Sequence, residues 1–138
     1  MALILDTGPL LAALDAADPD HDACAAMVTE AAEDLVVPAL VLAELDYWCA
    51  RRLTLDAWLV FLDDVRAGAY RVEPPTTADL ARCREIQERY RSLEVGVVDA
   101  SIIALAERLG EPKVATLDHR HFRTMRPNHV EALHLLPG

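Results

Sequence analysis

The stretch Met1–Leu14, MALILDTGPLLAAL, decides how the rest of the chain is read. Ala2 to Leu5 is an apolar run with no polar break, and it stops at Asp6-Thr7-Gly8-Pro9. A short continuous apolar run closed by turn residues fits a strand buried on both faces, as in a parallel sheet. Pro9 has the fixed φ that suits the first turn of a helix, and Leu10, Leu11 and Leu14 continue as an apolar helical face. Asp6 therefore stands where a strand hands over to a helix. Open α/β sheets place their ligand crevices at that level, outside the carboxyl ends of the strands. Taken alone, Asp6 is a metal ligand, a nucleophile, or a turn and N-cap residue.

Working outward, strand and helix patterns alternate. His21–Glu30 reads as a helix capped by Asp18 or Asp20, and Leu35-Val36-Val37 as a strand bounded by Pro38. A helix follows from Pro38 through Leu53, and another from Leu55 to Val65 with Gly68 as its C-cap. Tyr70-Arg71-Val72 is a short strand stopped by Pro74-Pro75, and Thr76 or Thr77 caps a helix over Asp79–Tyr90. Val95–Leu109 is a helix closed by Gly110, Lys113–Leu117 a buried strand, and Ala132–Leu136 a last strand. Strands alternating with helices, with apolar runs too continuous for a half-exposed sheet, predict an α/β fold with a parallel sheet covered on both faces. At 138 residues the chain has the length of one domain, spanning 1–138.

Composition bounds the function. With 53% hydrophobic and 26% charged residues the chain is expected to fold, and no apolar run approaches the roughly 20 residues of a membrane helix. No basic segment precedes the first apolar run, so no signal peptide is expected. Cys24, Cys49 and Cys83 are odd in number and form no CxxC, which predicts free thiols in a reduced, cytoplasmic setting. The net charge of −10 argues against nucleic-acid binding by bulk electrostatics. Converging acids neutralised by a divalent metal, with local basic clusters, remain compatible with a phosphate substrate.

Two further acids stand on apolar helical faces. Glu44 follows Leu40 and Val41 and precedes Tyr47 and Trp48 at helical spacing, whereas Asp46 falls to one side. Asp99 has Val95 before it and Ile102, Ile103 and Ala106 after it on one face. Acids are rarely buried unless paired or bound to metal, and an unpaired buried charge costs several kcal/mol. For Glu44 the structural alternative is a rim position or an ion pair with Arg51; for Asp99 it is a helix N-cap. Asp118 ends the second core strand as Asp6 ends the first, with a cap for His119-Arg120-His121-Phe122 as its alternative. In a parallel sheet the strand ends and helix starts meet at one edge, so all four acids can share a pocket. Four hard oxygen ligands select Mg²⁺ or Mn²⁺, and the closest chemistry is metal-assisted phosphodiester hydrolysis.

LILDTGPLLAALD, PALVLAELDYW, GVVDASIIALAERLG and VATLDHRHF, in this order, resemble a PIN-domain ribonuclease, and especially the VapC toxins of bacterial toxin–antitoxin pairs. The resemblance covers nearly the whole chain. It implies a three-layer α/β/α sandwich with a mostly parallel central sheet. It also implies a Mg²⁺- or Mn²⁺-dependent endoribonuclease that cuts structured RNA such as tRNA or ribosomal RNA, inhibiting translation. A homodimer held inactive by a cognate antitoxin, whose C-terminal segment reaches the acidic site, is implied as well. By position, Asp6, Glu44, Asp99 and Asp118 match the family's catalytic, metal-binding acids. Thr7 and Thr116 match hydroxyl positions that orient carboxylates or water.

For RNA contact the candidates are His119, Arg120 and His121, next to Asp118. The arginines Arg82 to Arg91 read as a solvated face paired with Glu85 and Glu88. No histidine is spaced as a metal ligand, and His21, His129 and His134 are expected at the surface. Two other readings stand beside the nuclease. An aspartyl-phosphate hydrolase with Asp6 as nucleophile would want a second Asp where Gly8 stands. A catalytically silent module would use the acidic pocket to receive a basic partner peptide.

Overall fold

The computed structural model describes residues 1–138. Strand β1 (Ala2–Leu5) leads into helix α1 (Thr7–Leu14) and then α2 (His21–Glu30). Strand β2 (Asp34–Pro38) is followed by α3 (Ala39–Arg52) and α4 (Leu55–Arg66), then β3 (Arg71–Glu73). Helix α5 (Thr77–Arg89), a 3₁₀ turn at Arg91–Leu93 and α6 (Val97–Leu109) precede β4 (Lys113–Ala115), α7 (His119–Thr124) and β5 (His134–Leu136). The five strands form one sheet in the order β3-β2-β1-β4-β5, and every neighbouring pair is parallel. Seven helices flank it in an α/β/α arrangement, so the expected mostly parallel sheet is parallel throughout.

The apolar run that opened the reading is the middle of this sheet. Leu3, Ile4 and Leu5 are buried between Val36 and Val37 of β2 and Val114 and Ala115 of β4. Because both faces of β1 are covered, the strand carries no alternation. Helix α6 is apolar nearly all round, with Ala100 to Ala106 buried, as a helix enclosed by its neighbours must be. It ends at Gly110, whose φ of 68° is the left-handed conformation glycine adopts without strain. Only Glu111 and Pro112 separate that cap from β4. Helix α6 therefore runs back against the strand direction, and its first turn lies at the carboxyl edge of the sheet.

Several boundaries differ from the expectation, β5 beginning at His134 rather than Ala132 and α5 at Thr77 rather than Asp79, and three of the differences follow from a local hydrogen bond or cap. Helix α1 starts at Thr7 rather than Pro9, because the Asp6 carboxylate accepts from the Thr7 amide and caps it. Helix α6 starts at Val97 rather than Val95: Gly96 is the N-cap, and Val95 packs into the core instead. The strand expected over Lys113–Leu117 ends at Ala115. There the Thr116 hydroxyl takes the Asp118 amide at 3.0 Å, turning the chain and leaving Leu117 exposed.

Candidate active site

Asp6 and Thr116 are brought side by side by the β1–β4 register, which pairs Leu5 with Ala115; the Asp6 amide donates to the Ala115 carbonyl at 2.9 Å. The two carboxylate oxygens of Asp6 are then divided. Oδ1 accepts the Thr7 amide at 2.7 Å, and Oδ2 accepts the Thr116 hydroxyl at 2.8 Å. Thr7 spends its own hydroxyl on Glu44, donating to Oε1 at 2.6 Å. Glu44 is on α3, just after the carboxyl end of β2, the strand beside β1.

Asp99 is the third residue of α6, inside the first turn that reaches this edge. Asp118 follows β4 and caps α7, accepting the His121 amide at 3.2 Å through Oδ1. Its other oxygen, Oδ2, lies 3.0 Å from Nδ1 of His121, and the same nitrogen lies 3.4 Å from Oδ2 of Asp99. Donor atoms of Asp99, Asp118 and His121 all fall within 4.8 Å of one another. The structure thus brings together Asp6, Glu44, Asp99, Asp118, Thr7, Thr116 and His121. His119 is half-buried at the first position of α7, and Arg120 is exposed and in no ion pair.

Electrostatically the cluster is unbalanced. No lysine or arginine pairs with any of the four acids; the one basic side chain against them is the imidazole of His121, whose Nδ1 lies beside Asp99 and Asp118. Burial, reinforced by the Asp99 charge, pushes the Asp6 carboxyl from its ordinary 3.8 up to about 7, while its bonds to Thr116 and Thr7 pull the other way. Asp99 is also raised, first by burial. Carboxylates crowded until one resists ionisation form a donor set for a divalent cation, which relieves their repulsion.

Glu44 is half-buried, as a rim position would be. Glu44 forms no pair with Arg51, whose guanidinium sits 4.3 Å from the centre of the Tyr47 ring. Asp99 is not the cap of α6, since Gly96 is. Asp118 is indeed a cap, yet its free oxygen still faces the cluster.

His121, expected only as a phosphate contact, stands among the carboxylates. The signal was legible: a capping Asp at a helix start brings the residue three positions on back over its side chain. His21 and His129 are half-buried rather than at the surface, each bonded to a backbone carbonyl. Arg82 does pair with Glu85, and it also grips Glu107 of α6. A hollow of about 590 Å³ lies at the opposite, amino-terminal edge of the sheet, against Asp34 and Arg71.

Comparison with known proteins agrees with this fold. The PIN domain family matches residues 3–126. Ribonuclease VapC26 of Mycobacterium tuberculosis is 38% identical over 125 residues, covering 91% of this chain and 93% of that protein. The crystal structure of VapC20 of Mycobacterium tuberculosis, a sarcin–ricin loop cleaving toxin, superposes with a TM-score of 0.73 at 23% identity, over 81% of this chain and 86% of that one. DNA-bound VapBC of Salmonella typhimurium gives a TM-score of 0.70 at 18% identity over 98% of both chains. At such identities these two structures speak to the fold. With its family matched along nearly its whole length and a VapC ribonuclease aligned across nine-tenths of it, the chain belongs to the PIN-domain family, among the VapC ribonucleases.

Proposed function

We propose that this chain is the toxin of a toxin–antitoxin pair: a Mg²⁺- or Mn²⁺-dependent endoribonuclease that hydrolyses phosphodiester bonds in structured RNA and so inhibits translation. The observation that carries this reading is the convergence of Asp6, Glu44, Asp99 and Asp118 at the carboxyl edge of the sheet, without a lysine or arginine among them. Unpaired acids in that number cost stability, and a cation offsets the cost. Oxygen-rich donors favour Mg²⁺ or Mn²⁺ over zinc.

Asp6, Asp99, Asp118 and Glu44 are the residues that would hold the metal. When bound, it would supply an activated water and neutralise charge building on the phosphorane oxygens and the leaving oxygen. Thr116 holds one Asp6 oxygen and Thr7 holds one Glu44 oxygen, so both carboxylates are aimed before substrate arrives. His119, Arg120 and His121 on α7 flank the acids where the RNA backbone would lie. Residues 1–138 act as one PIN-like domain, in the cytoplasm, as a homodimer.

The substrate class is tRNA or ribosomal RNA, and the cutting of the sarcin–ricin loop by VapC20 supports the ribosomal alternative. The VapBC complexes support an antitoxin as the inactivating partner, and a net charge of −10 suits a basic segment of that partner. The test is sequencing of RNA ends after induced expression. Wild type should create new ends concentrated in structured RNA, and Asp99→Asn should create none. Cutting by Asp99→Asn at the wild-type rate would remove the metal-site reading.

A further inference from the structure

We propose that His121 is a nitrogen donor to the cation, making this centre select a first-row transition ion such as Mn²⁺ over Mg²⁺. The inference rests on the metal-site reading of Asp99 and Asp118 given above. Nδ1 of His121 is 3.0 Å from Asp118 Oδ2 and 3.4 Å from Asp99 Oδ2. Neighbouring ligands on a six-coordinate ion with bonds of about 2.1 Å are separated by about 3 Å. Nδ1 therefore stands near the spacing that one ion requires from each of two carboxylates, and the three donors all lie within 4.8 Å of one another.

The arrangement is built into α7. Asp118 commits Oδ1 to the His121 amide, which leaves Oδ2 facing the ring. Phe122 and Met125, both buried, anchor the short helix, and the His121 side chain itself is only 25% exposed. The ring is thus turned inward onto two carboxylates. An imidazole lone pair strengthens binding of first-row ions in the Irving–Williams order, whereas Mg²⁺ gains little because it favours oxygen and keeps its waters. A site of carboxylates alone would lack that preference.

The test uses the full chain with Mn²⁺ and Mg²⁺ as probes. Pulsed EPR of the Mn²⁺-loaded protein should show ¹⁴N coupling from a directly bonded ring nitrogen, a measurement needing no variant. By calorimetry, His121→Ala should weaken Mn²⁺ binding about 10-fold or more and Mg²⁺ binding less than about 3-fold. His121→Gln, which keeps a hydrogen-bonding side chain, should behave as His121→Ala does. Absence of ¹⁴N coupling, equal losses for the two ions, or full Mn²⁺ affinity in His121→Gln overturns the proposal. Asp99→Asn separates the two levels. If it binds both ions as wild type does, the metal-site reading itself fails; if it loses both while His121→Ala loses neither, only the role of His121 fails.

Discussion

Asp6 and Asp79 are the two carboxylates this chain buries most deeply, at 7% and 5% exposed, and their surroundings are opposite in kind. Asp79 sits in the first turn of α5, where it accepts the Thr76 amide in a capping box and the Arg108 guanidinium at 3.0 Å. Arg108 also reaches Glu73, and one turn along, Arg82 grips Glu107, so α5 and α6 are laced together by matched charges. Asp6 has no such partner. It receives an amide and a hydroxyl, and its neighbours are further acids. Burial alone does not mark a functional acid, since Asp79 is as buried as Asp6. What separates them is the charge of the company each keeps: one region is neutralised from within the chain, and the other gathers acids with no lysine or arginine among them, as the proposed metal site requires.

Exchanging roles between the two regions is the sharpest way to break this contrast. Asp6→Asn or Asp99→Asn should lower RNA cleavage on the order of 10³-fold or more, read as single-turnover cleavage of an end-labelled structured RNA. Asp79→Asn should leave cleavage within about 3-fold of wild type, because it touches no donor of the site. Comparable losses in Asp79→Asn would mean the two regions are not functionally distinct.

The next largest effect is in the metal-free protein. The folded Asp6 carboxyl titrates near 7, above its ordinary 3.8, so its contribution favours the fold below about pH 4 and is lost as pH rises through 7. Relative to Asp6→Asn, chelator-treated wild type should therefore lose up to about 4 kcal/mol between pH 4 and pH 8, measured by urea unfolding. A constant difference across that range would show that Asp6 is not strained by its surroundings.

Asp79→Asn supplies the counterpart on stability. Removing it leaves Arg108, partly exposed, with a 3.3 Å bond to the Pro74 carbonyl and a longer contact to Glu73. A loss of about 2 kcal/mol is expected in the same unfolding experiment, with little dependence on added metal. Smallest of all, Thr116→Val removes the hydroxyl that serves both Asp6 and the Asp118 amide. Metal affinity should fall about 10-fold, with stability lower by about 1 kcal/mol. Unchanged affinity would mean that the carboxylate needs no orienting bond.

Much of this contrast was visible along the chain. The burial of Ala2–Leu5 on both faces followed from four apolar residues without alternation, and Gly110 closed α6 where expected. Glu44 and Asp99 stood out because a helix repeats every 3.6 residues, which put each on an apolar stripe. The position of Asp79 at the start of α5 was legible, whereas its burial was not. Its Arg108 partner is 29 residues away, and nothing local distinguishes an acid that will meet an arginine from one that will not. The paired arginine face was read correctly for Arg82 with Glu85, three residues apart, and missed for Arg82 with Glu107, 25 residues apart.

His121 shows where local reading and tertiary structure divide. Its facing of Asp118 is a property of one helical turn and was available from Asp118-His119-Arg120-His121 alone. Its contact with Asp99 depends on α6 returning against β4 to the same edge. The sequence by itself marked the buried strands and put Asp99 on an apolar helical stripe, because strand and helix periodicities act over a few residues; the burial of Asp79 escaped it, and Tyr47 and Trp48, read on the stripe of Glu44, are exposed. Only the tertiary structure decided the partners: Thr116 with Asp6 across 110 residues, Thr7 with Glu44 across 37, and His121 with Asp99 across 22. Those pairings are set by strand order, register and helix direction, which belong to the assembled sheet and to no single stretch of chain.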